Sequence, residues 1–556
     1  MGIKHFASWF NNNFKEFVIP FSKTNFPLVH IDTFLIDLNG IFHTSAQKVF
    51  KYGNCAPPPS VLRKSVNRQP LDKLTIECYI DVIHTIDLLV SITRPQKTLV
   101  LAIDGVAPMA KQQQQRQRRY KSAVENINSK SDANTFNPTS ISTGTKFMDG
   151  LSKYISNHID RKIASEEWNF EVVFTNEKCP GEGEHKLINY IRLFGGDNDT
   201  FCLNALDADL FMLSLGTMKE KFYLLREELY IPSIDYMYVD IGKTRKQLIK
   251  NLAPSPNELG SDYSIIKDFI LICFLCGNDF LPNIPSINIC EQGLSRLLDI
   301  YKKFGKRIVV DTKIDTQLFV EFLTLVSHDE EKMFANKIAH ASQYMPDPII
   351  SLSTCSESKF SFPVYKQLYN DKYFPDTLTD ASTTYVEGCQ WILDYYLGGT
   401  QDWEWSYKYN YAPFITDIIT VADKANYVCI QTTPITAFAQ LMCILPPPSF
   451  NLLPKPLHLF YLSHLEYYPQ VNDIDINYDG KKYKWEGVIN LPPINFDDIR
   501  ADVNALVKNV DRRELLRNVV ENPITYIKEN QGSSYVLNKD GSISLGNGVG
   551  KKKISF

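Results

Sequence analysis

Three short apolar runs, each delivering acid at its carboxyl end, constrain this chain more than any other feature. Phe34-Leu35-Ile36 runs into Asp37, Thr98 to Ile103 into Asp104, and Phe201 to Leu206 into Asp207 and Asp209. Apolar runs of this length, bounded by polar residues, read as buried strands. Helical patterns separate them, Leu74 to Thr93 before the second and Glu184 to Phe194 before the third, and another opens after Asp37 and continues through His43. The order β-α-β-α-β predicts an α/β fold with a mostly parallel central sheet flanked by helices. In such sheets the ligand crevice lies beyond the carboxyl ends of the strands, where these acids would collect.

A length of 556 residues predicts about three or four domains. We divide the chain into an acid-bearing core over 1–310, a helical connecting segment over 311–380, a second region over 381–520 and a tail over 521–556. The second region is crowded with Trp and Tyr between Tyr385 and Pro413, and the tail, glycine-rich and ending in Lys551-Lys552-Lys553, reads as frayed and solvated. Residues 126–145, rich in Asn, Ser and Thr, read as a loop between two helices. The longest apolar run, Phe269 to Cys276, is eight residues, far short of the roughly 20 a membrane span needs. No membrane partner is expected. Eleven cysteines without regular spacing, and a start lacking the apolar stretch of a secretory signal, predict a reduced, intracellular and cytoplasmic protein. Cys273 and Cys276 lie inside the apolar run and read as core helix rather than as a metal site.

Paired acids carry the chemistry. Glu182 and Glu184 in CPGEGEHK are flanked by glycines in a turn that can aim both the same way, and Asp207 and Asp209 in LDADL share that spacing. Asp279 follows the apolar helix, and Asp37 and Asp104 end their strands, so seven acids are candidates. Hard divalent cations take such oxygen ligands, and two ions about 3.5–4 Å apart can stabilise the attacking and leaving oxygens of a phosphodiester. A lone D-x-D also fits a phosphatase or a glycosyltransferase. The net charge of −4 means that affinity for nucleic acid has to come from a local patch. GVAPMAKQQQQRQRRYKSA supplies one, because no acid intervenes between Asp104 and Glu125. At about 100° per residue, Lys111, Gln115, Arg118 and Arg119 share one helical face and can donate together to a phosphate.

FLIDLNGIFH, LAIDGVAPMAKQQQQRQRRYK, FNPTSISTGTKFM, CPGEGEHKLINYIR, LDADLFMLSLG and FLCGNDFLP together resemble the signature blocks of the XRN 5′→3′ exoribonucleases. The similarity continues through GLSRLLDIYK, YVEGCQWILDYYLGGTQDWEWSYKYNYAPF, AFAQLMCILPPPSFNLLP and KWEGVINLPPI, and so covers most of residues 1–500. It implies a PIN/FEN-like nuclease core with a largely helical second conserved region packed on it. The implied activity is Mg²⁺-dependent (Mn²⁺ possible), two-ion hydrolysis of single-stranded RNA bearing a 5′-monophosphate to mononucleotides, by a monomer, in RNA decay. By the same resemblance Asp37, Asp104, Glu182, Glu184, Asp207, Asp209 and Asp279 hold the metal. Lys111, Gln115, Arg118 and Arg119 take the 5′-phosphate, and His43 with Trp405 or Trp403 stacks on the first base. The family's Pro near the start is Lys4 here, and its Thr-His-Glu-Pro reads Thr217-Met218-Lys219-Glu220. The family's zinc knuckle and long C-terminal domains are not seen, which suggests a minimal catalytic core of viral or protist type. The competing readings are a flap-type structure-specific 5′ nuclease, which lacks the aromatic second region, and a non-catalytic RNA-binding scaffold.

Overall fold

The computed structural model describes residues 2–55, 70–125, 136–204, 207–228, 231, 233–253, 263–354, 360–528, 535–537, 543–545 and 549–555. Ala205 and Leu206 at the end of the third expected strand, 126–135 of the expected loop, and much of 529–548 lie outside them.

One nine-stranded sheet organises the molecule. Its strands are β1 (Val18–Phe21), β2 (Thr33–Asp37), β3 (Thr98–Ala102), β4 (Glu171–Thr175), β5 (Phe201–Asn204), β6 (Phe222–Glu227), β7 (Tyr236–Asp240), β8 (Ile524–Lys528) and β9 (Val549–Lys553), in the order β1-β7-β6-β5-β2-β3-β4-β8-β9. The five central strands, β6 through β4, run parallel. The two strands at each edge run antiparallel. Successive side chains of a strand point to opposite faces, and the central strands are apolar on both. Phe34, Ile36, Leu99 and Leu101 enter one core with α2 (Leu38–Phe50), α3 (Leu71–Thr93) and α5 (Lys146–Ala164). Leu35, Val100, Val173 and Leu203 enter the other, with α6 (Gly183–Phe194), α7 (Asp209–Gly216) and α9 (Ser264–Phe274).

This second core does not stop at the first half of the chain. It takes in Phe319 and Phe322, then Tyr385, Trp391, Tyr395 and Tyr396 of α10 (Leu378–Gly398), and on to Ile418. The aromatic segment is therefore buried against the sheet half, as its apolar surface requires. Cys273 and Cys276, in and just after α9, are buried and free, as expected of a core helix. A smaller core forms around α11 (Ala437–Ile444) and packs on the basic helix, α4 (Met109–Glu125). Among the described residues no helix is long and apolar enough to cross a membrane.

Two expectations need correction. The order read from sequence omits β4, whose Val172-Val173-Phe174 stands between polar residues and carries its own strand signal. The tail is also not frayed throughout. β8 pairs with β4 and β9 pairs with β8, so the C-terminal segment completes the sheet that the first half begins. Tyr526, fully buried, supplies the reason, and its hydroxyl lies 2.7 Å from Ser156 Oγ. The lysines read as solvated are edge-strand residues, and Lys551 pairs with Asp160 at 2.7 Å. Lysines on an edge strand are a common guard against further strand addition.

Candidate active site

The acids meet where the central strands end. Asp37 closes β2 and caps α2, accepting from Asn39 N at 3.1 Å and Asn39 Nδ2 at 2.8 Å. The Asn39 carbonyl oxygen accepts from Asp104 N at 3.2 Å, which ties the ends of two neighbouring strands together. Asp104 Oδ1 accepts from Gly183 N at 2.6 Å, and this brings in the turn with Glu182 at the N-cap of α6 and Glu184 in its first turn. Asp209 opens α7 and accepts from Ile3 N at 3.2 Å. Asp279 follows α9, and Asp207 is exposed at the mouth. Electrostatic coupling links the set, Asp37 with Asp104 and Asp207, Glu184 with Glu182 and Asp209, and Asp209 with Asp279. All seven acids expected from sequence therefore belong to one constellation.

Its electrostatics ask for cations. Burial, then Asp104, pushes Asp37 up to about 7. Burial, then Asp279, does the same for Asp209. Glu184 is driven well above its ordinary range by burial and Glu182. One cation of the chain stands inside the cluster: Lys111 Nζ lies 2.6 Å from Glu182 Oε2 and 2.8 Å from Asp279 Oδ2. Burial works against ionisation of Asp279, but Lys111 beside it wins and holds that carboxyl at about 2. Glu182 shares the same ammonium and is still raised, by burial and by Asp104. A single ammonium thus leaves the cluster uncompensated, and an all-carboxylate donor set under mutual repulsion fits hard divalent ions.

The basic helix lies against this cluster. Burial, with Arg118 beside it, disfavours the Arg119 charge, and the guanidinium donates Nη2 to Ser142 Oγ at 2.6 Å while its buried Nη1 has no hydrogen-bond partner. Gln115 Oε1 is likewise buried and unpartnered. Orphaned polar atoms of this kind mark a place for a ligand. Arg116 faces the other way and is structural, donating to Pro492 O at 2.7 Å and Tyr467 O at 2.6 Å. Lys111, Gln115, Arg118 and Arg119 therefore form the face that sequence spacing predicts.

The aromatics are arranged differently from expectation. His43 is exposed on α2, and the groups that bear on it electrostatically are Arg118, Asp104, Arg119 and Asp207, so it stands between the basic helix and the acids. Trp405, by contrast, ends a column of rings. His185 stacks on Tyr395 with centroids 3.7 Å apart, Tyr395 on Trp391 at 5.1 Å, and Trp391 on Trp405 at 4.9 Å. The Trp405 ring also covers Gly388, where an added Cβ would sit 2.7 Å from it. Trp403 serves through its backbone, whose carbonyl accepts from Met109 N at 2.8 Å at the start of α4. Both tryptophans are thus committed to packing or anchoring. Sequence reasoning missed two features here. Tyr395 donates its hydroxyl to Glu182 Oε1 at 2.6 Å, fastening an active-site acid to the second region. Tyr483 and Trp485 stack at 5.7 Å with an interplanar angle of 11° and are 39% and 49% exposed. Lys121, one helical turn from Arg118, donates to Trp485 O at 2.9 Å, which seats this pair beside the basic helix. The K-x-W within KWEGVINLPPI, an aromatic ledge among lysines, was the signal available.

Comparison with known proteins accords with this site. A family model described as the XRN 5′-3′ exonuclease N-terminus matches residues 1–228, and one described as the Xrn1 helical domain matches 261–361 and 365–543. The 5′-3′ exoribonuclease 1 of Homo sapiens is 27% identical over 93% of this chain and 35% of its own length. The 5′-3′ exoribonuclease 2 of Gallus gallus is 25% identical over 91% of this chain and 68% of its own. The Drosophila melanogaster homologue of the latter is 26% identical over 91% and 69%. The chain thus spans about a third of the human relative and about two thirds of the other two. A solved structure of the T5 D15 protein, co-crystallised with metal ions, covers 55% of this chain at 11% identity with a TM-score of 0.24, a likeness too slight to bear on the site. With both family models matched in order over most of its length, the chain belongs to the XRN family of 5′→3′ exoribonucleases.

Proposed function

We propose that this protein removes mononucleotides from the 5′ end of single-stranded RNA that carries a 5′-monophosphate, with Mg²⁺ or Mn²⁺ as cofactor. The observation that carries the reading is the position of Lys111. It belongs to the phosphate-binding face of α4, yet it touches Glu182 and Asp279. A terminal phosphate held by Lys111, Gln115, Arg118 and Arg119 therefore lies next to the acids, and the bond presented to them is the first one along the chain. Asp37, Asp104, Glu182, Glu184, Asp207, Asp209 and Asp279 would hold two ions. Such a pair, when bound, activates water and neutralises the charge on the attacking and leaving oxygens of the phosphodiester.

The remaining work falls to the chain. Arg119 Nη1 and Gln115 Oε1, both unpartnered, make the pocket specific for a small phosphate, because a cap or triphosphate would need room the helix face does not give. His43 offers a ring to the first base. In place of Trp405 or Trp403, we assign the second ring to Trp485, whose face is open and whose backbone is fixed to the turn of α4 that follows Arg118. Base stacking of this sort is worth about 1–3 kcal/mol per base and does not depend on sequence. The protein would act as a monomer in RNA decay.

Arg118→Ala/Arg119→Ala tests the pocket. Each lost bond to a charged group costs about 1.5–3 kcal/mol, so decay of 5′-monophosphate RNA should slow roughly 10²–10⁴-fold. The slow decay of 5′-hydroxyl RNA should hardly change. Equal slowing on both ends would refute the pocket.

A further inference from the structure

His185 is the one side chain in the cluster whose chemistry the seven acids do not cover. It follows Glu184 in the first turn of α6 and is 2% exposed. Neither Nδ1 nor Nε2 has a hydrogen-bond partner. Stacking on Tyr395 at 3.7 Å, with 20° between the planes, occupies one ring face and fixes the plane, so what the ring presents to its surroundings is its nitrogen-bearing edge. A ring nitrogen and one oxygen each from Glu182 and Glu184 all lie within 4.8 Å of one another. Two ligands on opposite sides of an ion, each about 2.1 Å from it, stand about 4.2 Å apart. The three donors therefore need to close by only a few tenths of an ångström. Glu182 is held in place for this by Tyr395 and Lys111.

We propose that His185 is a nitrogen ligand to the cation held by Glu182 and Glu184, so that one of the two ion positions has a mixed nitrogen and oxygen shell. The inference rests on the divalent-cation reading above and deepens it. Mg²⁺ prefers oxygen, whereas transition-metal dications accept imidazole. This position consequently selects a transition-metal ion such as Mn²⁺, and the all-carboxylate position remains open to Mg²⁺. The column Tyr395, Trp391 and Trp405 then has a purpose beyond filling the core, because it sets the angle of the ligating ring.

Mn²⁺ binding to the full chain, followed by electron spin-echo spectroscopy, tests this without relying on turnover. Wild-type protein loaded with Mn²⁺ should show coupling to a histidine nitrogen, and labelling histidine with ¹⁵N should change that coupling. His185→Gln, checked for an unchanged melting temperature, should abolish it. The same variant should weaken Mn²⁺ about tenfold or more, while Mg²⁺, measured by competition, changes less than about threefold. Bound Mn²⁺ without nitrogen coupling in the wild type overturns the proposal even if the variant misfolds, and so does coupling that survives in a folded His185→Gln. Those results leave the nuclease reading intact. Failure of Mn²⁺ to bind the wild type at all would overturn both.

Discussion

Gly183 shows how little space the acid cluster leaves. A Cβ there would stand 2.8 Å from Asp37 Oδ1 and 3.0 Å from Asn39 Nδ2. Its backbone is helical, so alanine is tolerated locally and the cost falls on the positions of Asp37 and Asn39. Misplacement of a site by about an ångström can cost roughly 10²-fold in rate. Gly183→Ala should therefore lose about that much in kcat with little change in melting temperature, which turnover and calorimetry on the same preparation would check. Gly2 is a similar case, with φ +49° and a Cβ that would meet Asp209 Oδ1 at 2.0 Å. The acids themselves were legible because strand ends and glycine-flanked turns announce where a side chain must point. Lys111, Gln115, Arg118 and Arg119 were legible from helical spacing. Trp405 was not, because sequence shows that an aromatic is present but not which of its faces is already covered. Tyr395 lies more than two hundred positions from Glu182, and no local pattern announces that contact.

At the scale of elements, α9 illustrates a second kind of burial. Its Asp268 is fully buried and accepts from Tyr301 OH at 2.6 Å and Val309 N at 2.7 Å, so the helix fixes the segment that leads out of the sheet half. Burial still dominates those bonds and pushes the carboxyl up to about 6. An acid whose folded-state value lies above its unfolded one favours folding most when protonated. Its contribution is complete below about pH 4 and is lost as pH rises to about 6. The loss is roughly 3 kcal/mol at 1.36 kcal/mol per unit. Chemical denaturation at several pH values across that window should show this slope for the wild type, and Asp268→Asn should flatten it. Among the strands, β2, β3 and β5 were readable as apolar runs with acid ends, while β4 is shorter and β8 is separated from its partner by most of the chain. Pairing at such separation is a tertiary fact, and only the alternation that buries Thr525 and Tyr526 hints at it.

For the molecule as a whole, the sheet is closed by the last segment of the chain rather than by the half that starts it. Truncation after Pro523 removes β8 and β9, leaves the β4 edge unpaired and takes away the buried Tyr526. Loss of a buried aromatic alone costs about 3–5 kcal/mol. The shortened protein should melt lower and aggregate on heating, as scattering would record, even though every active-site acid is retained. The same closure places α10 and the Tyr483–Trp485 ledge around the acids, so the site is built from both halves and opens past the basic helix. That arrangement makes the end of the strand, not its interior, the part presented for cleavage. The most direct test follows a 3′-labelled, unstructured RNA in Mg²⁺ as three substrates: with a 5′-monophosphate, with a 5′-hydroxyl, and as a closed circle. The monophosphate strand should be consumed from its 5′ end with release of mononucleotides, while the hydroxyl strand decays far more slowly and the circle persists. Internal cutting of the circle, or equal decay of the two linear strands, would contradict the assignment.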